Sequence, residues 1–485
     1  MPSRVLVGVQ RVSGRGYTAP VPYHPGSSYP ELAQVPVGES NHVYDAVRRA
    51  FAVLGLDAGN HGTPSWNPLG AVVRPGDRVL IKPNLIWHSH RQNPQEWHAV
   101  ITHGSVVRAV LDYVLLALGD AGHVTIADGP QLDADWRTII ERTGLDEVVA
   151  DCRKRTSTSV QLCDLRDSWM DVRGDVKYGE TPLGGDPAGS SIVDLGETSR
   201  FYGFAGEGRY YGADYDDEET NRAHQGSTQR YRICRSALDA DVIVNIPKLK
   251  THKKVGVTLS LKNLVGVNAE RNWLPHYTVG APDDGGDQFP ARTIRTSTEQ
   301  IGMSWLRNAA DRWRTTAPFL RTAKSAAKRV WGDTQTTVRS GNWHGNDTCW
   351  RMVHDINRAV LYSAGSVFPA QERKRTLVVI DGVVAGEGNG PESPRAVHAG
   401  LILAGLDPVA VDWTAATLMG FDPNRIPQLA RAFDDSPLPL ASFAPSDIVL
   451  FSDNLEYRGP LHSLSPDSCM HFEPHFGWLD AMERR

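Results

Sequence analysis

The chain has 485 residues, 40% of them hydrophobic, and a formal net charge of −5 from 51 Lys and Arg against 56 Asp and Glu. That length is enough for one large hydrophobic core or two moderate ones. The slight negative charge excludes a general attraction to nucleic acid or to an anionic membrane, so we expect neither as a partner. The longest apolar run, residues 106–118, contains Arg108 and Asp112 and is too short to span a bilayer.

The five cysteines lie far apart and form no C-x-x-C pair. This spacing predicts neither a disulfide framework nor a cysteine-ligated iron–sulfur cluster, and it favours buried thiols in a reducing compartment. The N-terminal residues enter a strand-like segment directly, without the charged and long apolar regions of a signal peptide. We therefore expect a soluble, cytoplasmic protein.

Short apolar runs recur along the chain, each followed by a polar or Gly/Pro-containing turn, as is typical of strands covered on both faces. Two segments between them, residues 43–54 and 106–118, repeat apolar residues at helical spacing. The pattern predicts an α/β fold, with a mainly parallel, Rossmann-like sheet flanked by helices. We interpret residues 1–485 as a single α/β body. The predicted strands are residues 5–9, 78–81, 123–127, 241–246, 376–380 and 400–403.

Two polar stretches interrupt this alternation of predicted strands and helices, at about residues 165–230 and 275–350. The first has aromatic and acidic runs, and the second begins with a Gly/Asp-rich segment and becomes basic and helical in pattern. We interpret both as insertions on the α/β body, serving as a lid or as a surface for homo-oligomer formation.

Polar residues and turn formers follow four of the predicted strands, at residues 82–84, 128–130, 247–248 and 381–382. If these strands are parallel, the four turns converge on one edge of the sheet, where ligands bind in open α/β folds. Ordinary turn chemistry is the alternative explanation for any one of them.

The stretch from residue 240 to residue 268 carries five lysines, a histidine and three asparagines in a protein that is acidic as a whole. Such a local cluster favours binding of phosphate or carboxylate groups, although a lysine run can also be a solvated face that protects an edge strand. We expect the anionic ligand to be a small metabolite. The predicted substrate-binding residues are Lys82, Asn84, Lys248, Lys250, Thr258 and Asn263.

Three residues are candidates for proton transfer. Lys262 lies among apolar residues, so burial and nearby cations are expected to lower its pKa. His252 belongs to the same cationic stretch, and His103 opens a predicted helix, whose N-terminus would keep the imidazole neutral.

Three acidic residues are candidate ligands for a divalent metal such as Mg²⁺. Asp381 and Glu387 lie in the glycine-rich segment DGVVAGEGNGP, which we expect to form a loop, and Asp128 ends an earlier strand. Carboxylate oxygens are the ligands that such hard cations prefer. The cofactor requirement is otherwise unknown.

Several blocks of the chain resemble the family known as domain of unknown function 362 (DUF362). That name implies little chemistry, and many members carry a cysteine-rich, cluster-binding insert that this chain lacks. The matching blocks are IKPNL (81–85), THGSVVRAVL (102–111), IPKLKTH (246–252), GVTLSLKNLVG (256–266), DGVVAGEGNGP (381–391) and LAGLDPVAVDWTAATLMGFDP (403–423).

The order of His252, Gly256, Thr258 and Lys262 is also remotely similar to that of a histidine, a turn and a cofactor-linked lysine in the nickel-pincer lactate racemase family. That resemblance implies proton or hydride transfer at a carbon next to a carboxylate. The chain departs from it by having threonine and leucine where a glycine-rich turn is expected.

Three functions follow as hypotheses. The first is an isomerase, epimerase or lyase that uses Lys/His acid–base chemistry on a small anionic metabolite. The second is a metal-dependent transfer or elimination on a phosphate or diphosphate substrate. The third is a non-catalytic metabolite-binding or scaffold protein.

Overall fold

The computed structural model describes residues 4–14, 16–173, 176–212, 216–293, 296 and 336–484. In chain order the strands are β1 Val5–Arg11, β2 Arg78–Pro83, β3 His123–Asp128, β4 Ser159–Asp164, β5 Ser168–Arg173, β6 Val176–Pro182, β7 Ser190–Asp194, β8 Tyr210–Tyr211, β9 His224–Gln225, β10 Thr228–Cys234, β11 Val242–Ile246, β12 Lys248–His252, β13 Gly256–Val257, β14 Tyr277–Thr278, β15 Arg375–Glu387, β16 Arg395–Val397, β17 Leu401–Gly405, β18 Ile448–Phe451 and β19 Gly459–Pro460.

The α-helices are α1 His42–Val53, α2 Gly104–Leu118, α3 Trp136–Thr143, α4 Leu145–Arg153, α5 Asp217–Ala223, α6 Arg235–Leu238, α7 Leu259–Asn263, α8 Cys349–Leu361, α9 Pro408–Leu418 and α10 Pro427–Ala430. The two helices predicted from apolar spacing correspond to α1 and α2.

One large sheet organises the molecule, with the strand order β19-β18-β1-β17-β15-β11-β2-β3-β4. The strands from β15 to β4 are all parallel, and β17 is inserted antiparallel between β15 and β1. The predicted α/β fold with a mainly parallel sheet is confirmed.

Both faces of the sheet are covered by apolar layers, because successive strand residues point to opposite sides. In β11, Ile243 packs into one layer and Val244 into the other. The first layer includes residues of α8 and α9, and the second includes residues of α1 and α2. This coverage explains why the central strands are apolar runs rather than alternating patterns.

Within the described residues, one helical stretch, Pro94–Leu118, is long and apolar enough to cross a membrane by length and composition alone. Of its most apolar window, 94% is buried inside the protein. The two charged residues in its apolar part pair with each other, because Arg108 Nε donates to Asp112 Oδ2 at 2.8 Å. These are the features of a core helix.

The predicted insertion at residues 165–230 contains the β5–β6 hairpin and most of the three-stranded sheet β7-β10-β9, and β8 pairs with β14 of the later insertion. In the insertion at residues 275–350, the basic segment predicted to be helical falls on residues 297–335, which lie outside the described residues. The lid or oligomer role of both insertions stays a prediction.

Candidate functional site

The structure brings the four predicted turns together at one edge of the sheet. The strands β15, β11, β2 and β3 are consecutive parallel neighbours, so their carboxyl ends lie side by side. Lys82 at the end of β2 binds Asp128 at the end of β3, and Lys248, just after β11, binds Asp381 of β15. This edge is therefore lined by ionisable groups from four separate parts of the chain.

Two segments at this edge are strands: one follows the turn predicted at residues 247–248, and the other is the glycine-rich segment that was expected to be a loop. The cationic run forms β12 beside β15, and β15 continues through the glycine-rich segment as far as Glu387. A glycine is required where the chains approach closely, since a Cβ on Gly382 would lie 2.9 Å from the carbonyl oxygen of Leu401. As a result Lys248 and Lys250 are fully buried within the sheet instead of lying on an open loop.

Lys82 and Asp128 form a buried ion pair. Lys82 Nζ lies 2.7 Å from Asp128 Oδ1, and the other oxygen of Asp128 accepts a hydrogen bond from the Leu85 amide at 2.6 Å. Burial lowers the pKa of Lys82, and the neighbouring Asp128 carboxylate opposes that shift. The charge that was predicted to bind substrate is thus compensated inside the protein.

Lys248 and Asp381 form a second buried pair with more partners. Lys248 Nζ donates to Asp381 Oδ2 at 2.9 Å and to the Tyr17 hydroxyl at 2.7 Å. Asp381 also accepts from the Tyr17 hydroxyl at 2.6 Å and from the His103 amide at 2.9 Å. Every oxygen of this carboxylate therefore has a protein donor.

Lys250 is buried, and no carboxylate of the described ranges is in direct contact with it. Its Nζ donates to the carbonyl oxygens of Val100, at 2.5 Å, and Pro391, at 3.0 Å. Burial and then the charge of Lys248 hold the pKa of Lys250 well below its ordinary value. The uncharged amine is favoured in such a place because carbonyl dipoles alone do not compensate a buried ammonium.

His103 is the N-cap of α2, as the sequence indicated, and its ring is stacked on Tyr17 with the ring centroids 3.8 Å apart. Its Nδ1 accepts from the Ser105 amide at 3.2 Å. The pKa of His103 is well below its usual value because of burial first, followed by the charges of His98 and Lys248. The ring is thus held neutral beside the Asp381 network.

Lys262 differs from the other lysines of the edge. It lies on α7 and is half-buried, and among the described residues its Nζ has neither a hydrogen-bond acceptor nor an ion-pair partner. Burial lowers its pKa, and the cations of Arg271 and Lys82 lower it further, against the opposing effect of Cys349. Lys262 is therefore an ammonium whose proton is loosely held and whose charge is not compensated.

Two histidines lie close enough to Lys262 for its charge to lower their pKa values. For both His252 and His276, burial is the largest cause of a pKa well below 6.5, and Lys262 is the next. The backbone fixes different tautomers: His252 Nδ1 accepts from the Lys254 amide at 3.1 Å, whereas His276 Nδ1 donates to the Leu274 carbonyl at 2.8 Å. Nε2 is consequently a donor in His252 and an acceptor in His276.

Of the remaining predicted substrate-binding residues, two asparagines are hydrogen-bonded within the protein and one threonine hydroxyl is not. Asn263 Nδ2 donates to the Lys82 carbonyl at 3.0 Å, and the Asn84 amide donates to Thr102 Oγ1 at 3.0 Å. Both asparagines therefore hold the turns of the edge together. The hydroxyl of Thr258 is buried without a hydrogen-bond partner in the described part of the chain.

The predicted metal ligands have separate protein partners. Asp381 and Asp128 belong to the two ion pairs, and Glu387 binds Arg395 at 2.5 Å and accepts from the Glu473 amide at 2.8 Å. In the ranges that the structure describes, no group of three or more His, Cys, Asp or Glu is arranged to hold a metal ion. The three carboxylates are thus not gathered into one ligand set.

Sequence analysis missed three residues of the site. Tyr17 lies in a Gly/Pro/Ser-rich stretch without a motif, and His276 lies in an insertion, so neither was connected to the edge. Asp412 accepts from the Ser260 and Leu261 amides at 2.8 and 2.9 Å and so anchors the start of α7, which carries Lys262. Its place among apolar residues of a helix was the available signal.

Comparison with known proteins identifies one relative and one family. The chain is 22% identical over 362 residues, 75% of its own length and 69% of the relative's, to thylakoid-associated protein sll1697 of Synechocystis sp.. The resemblance to the lactate racemase family is not supported. The family model described as "Domain of unknown function (DUF362)" matches residues 79–185 and 172–417. The chain therefore belongs to the DUF362 family.

Proposed function

We propose that the protein is an enzyme that acts on a small anionic metabolite, bearing a carboxylate or phosphate, by acid–base chemistry of the isomerase, epimerase or lyase type. The observation that carries the proposal is the half-buried Lys262, which has no protein counter-charge among the described residues and a lowered pKa. Groups with such shifted pKa values, in a place where charge is left uncompensated, are characteristic of reactive sites.

The charge around Lys262 supports binding of an anion. Lys254 lies in the same region and has its pKa lowered to about 8, by burial above all. Its Nζ donates to the carbonyl of Ser340, and no carboxylate of the described residues is in direct contact with the ammonium. An anion between Lys254 and Lys262 would compensate both charges through charge-assisted hydrogen bonds.

The two histidines support removal of a proton from a bound carboxylate. With the tautomers fixed by the backbone, Nε2 of neutral His276 can accept a proton, whereas the Nε2–H of neutral His252 can donate a hydrogen bond to the substrate carboxylate. The base removes a proton from the carbon next to the carboxylate, while the ammonium of Lys262 stabilises the negative charge that forms on the carboxylate oxygens. Transfer of the Lys262 ammonium proton to the opposite face gives an epimer, and return of the abstracted proton from the His276 imidazolium to a neighbouring atom gives an isomer; solvent then restores the starting protonation of both groups.

Binding is tested by calorimetric titration with inorganic phosphate and with succinate. Lys262→Met should weaken the affinity about 10- to 100-fold, since a hydrogen bond to a charged group contributes about 1.5–3 kcal/mol. Lys262→Arg should retain most of the affinity because the cation remains. The matched control is Lys154→Met, which removes an exposed lysine from the end of α4. Equal affinities for wild type and Lys262→Met would refute the anion site.

Catalysis is tested by exchange of the proton on the carbon next to the carboxylate for solvent deuterium, followed by NMR over a panel of small carboxylates. Wild type and Lys154→Met should exchange at least one of them. His276→Gln should abolish exchange without weakening binding, because the amide cannot act as the base. If no carboxylate exchanges, or if His276→Gln exchanges at the wild-type rate, the acid–base assignment is wrong.

A further inference from the structure

A cavity of about 540 Å³ lies beyond the carboxyl ends of β3 and β4, between the start of α3 and the segment that follows β6. Its volume is within the range of small-molecule sites. None of its lining residues belongs to the Lys262 site. Its most prominent side chains are two half-buried tryptophans, Trp136 and Trp169.

Trp136 and Trp169 lack the interactions that buried or half-buried indoles usually make. Such indoles usually pack against another ring or donate their N–H. Trp136 and Trp169 are the tryptophans of the described ranges whose indoles have neither a ring contact, nor a cation over the ring, nor a hydrogen bond. Other tryptophans do have such partners: Trp97 stacks on His98 with the ring centroids 3.9 Å apart, and Trp273 Nε1 donates to Glu219. Both indoles thus line the same space without a ring, cation or hydrogen-bond partner among the described residues.

The charged residues of the lining leave a net negative charge. Arg166 Nη2 lies 2.6 Å from Asp164 Oδ2, and its Nε also contacts that carboxylate, so these two charges compensate each other. Asp135 is the remaining ionisable acid of the lining, it is exposed, and a hydrogen bond from Thr138 lowers its pKa. The cavity therefore combines two indole rings with one carboxylate that has no ion-pair partner in the part of the chain that the structure describes.

We propose that this cavity is a binding site for a small aromatic cation, that is, a planar ring bearing a protonated amine or a positively charged ring nitrogen. The ring would stack on the indoles, and its positive charge is attracted both by their faces and by Asp135. An anionic ligand would be repelled by Asp135, and a neutral ring would gain only the stacking. This site is independent of the anion site at Lys262, so either proposal can fail without the other.

The test is calorimetric titration with three compounds that share one ring: tryptamine, tryptophol and indole-3-acetate, which are cationic, neutral and anionic. Wild type should bind tryptamine most tightly and indole-3-acetate least. Trp136→Ala and Trp169→Ala should each weaken tryptamine binding about tenfold. Tyr202→Ala, which removes an exposed ring that does not line the cavity, is the control.

Asp135→Asn separates the charge from the stacking. Asp135 is the N-cap of α3, and asparagine caps a helix as well as aspartate does, so this variant keeps the fold. It should reduce the preference for tryptamine over tryptophol while leaving tryptophol binding unchanged. Equal wild-type affinity for the three compounds, an unchanged preference in Asp135→Asn, or no binding of tryptamine at millimolar concentration would each overturn the proposal.

Discussion

The buried pair of Lys248 and Asp381 allows a quantitative test of how the edge of the sheet is held together. Both side chains are fully buried, and the ammonium lies 2.9 Å from the carboxylate. The perturbation is to neutralise each partner with a residue of similar size, by Lys248→Met and Asp381→Asn, and then to combine the two changes. If the pair acts as a unit, the combined variant is damaged less than the two single variants together.

The expected magnitudes follow from what each change leaves behind. Asp381→Asn leaves a buried ammonium without its counter-charge, which costs about 3–5 kcal/mol of unfolding free energy. Lys248→Met leaves a carboxylate that still accepts from the Tyr17 hydroxyl and the His103 amide, so the loss is about 1.5–3 kcal/mol. The double variant retains neither charge of this pair, and its cost should be lower than the sum by roughly 1–3 kcal/mol.

Urea denaturation followed by tryptophan fluorescence gives the four free energies of this cycle. A parallel cycle on Arg137 and Glu141, whose side chains are 86% and 66% exposed and 3.9 Å apart, supplies the control and should show no appreciable coupling. Additive losses for Lys248→Met and Asp381→Asn, within roughly 0.5 kcal/mol, would refute the reasoning.

Two further predictions concern residues that support the edge of the sheet. Gly266→Ala should destabilise the protein by about 3 kcal/mol or more, because the new Cβ would lie 2.1 Å from Asp128 Oδ1 and must displace it. The control is Gly59→Ala, where a Cβ meets nothing within 4 Å, and equal melting temperatures for the two variants would contradict the prediction. Burial raises the pKa of Asp412 from 3.8 to about 7, so the stabilisation by its protonated form is complete below about pH 4 and is lost as the pH rises through about 7. Between these two pH values, the unfolding free energy of Asp412→Asn should fall less steeply than that of wild type. Identical slopes would show that Asp412 does not titrate in this range.

The fold was predictable because its signals are local. The β-branched run at residues 242–246 gives a strand whatever its partners are, and the apolar spacing of residues 43–54 gives a helix. The extent of β15 was not predictable in the same way. Its glycine-rich half resembles a loop in isolation and is a strand only because β12, β16 and β17 supply its hydrogen bonds.

The convergence of the four turns was predictable from the sequence, but the pairing of their charged side chains was not. The convergence of four turns follows from parallel strands, which the sequence indicated. Which lysine meets which carboxylate depends on sheet register, as with Lys248 and Asp381, which are 133 residues apart. The contribution of Tyr17 depends in addition on where a long irregular segment crosses the edge, and no pattern in that segment specifies it.

The states of the four lysines explain why one of them is the reactive candidate. Lys82 and Lys248 are compensated by carboxylates, and Lys250 is favoured as a neutral amine by burial between carbonyls. These three arrangements satisfy the buried edge without any ligand. Lys262 is left with a weakened hold on its proton, on a helix whose start is anchored by Asp412. Of these four lysines, Lys262 is the one whose charge an anion from outside the chain would compensate. For this reason we place the chemistry at Lys262.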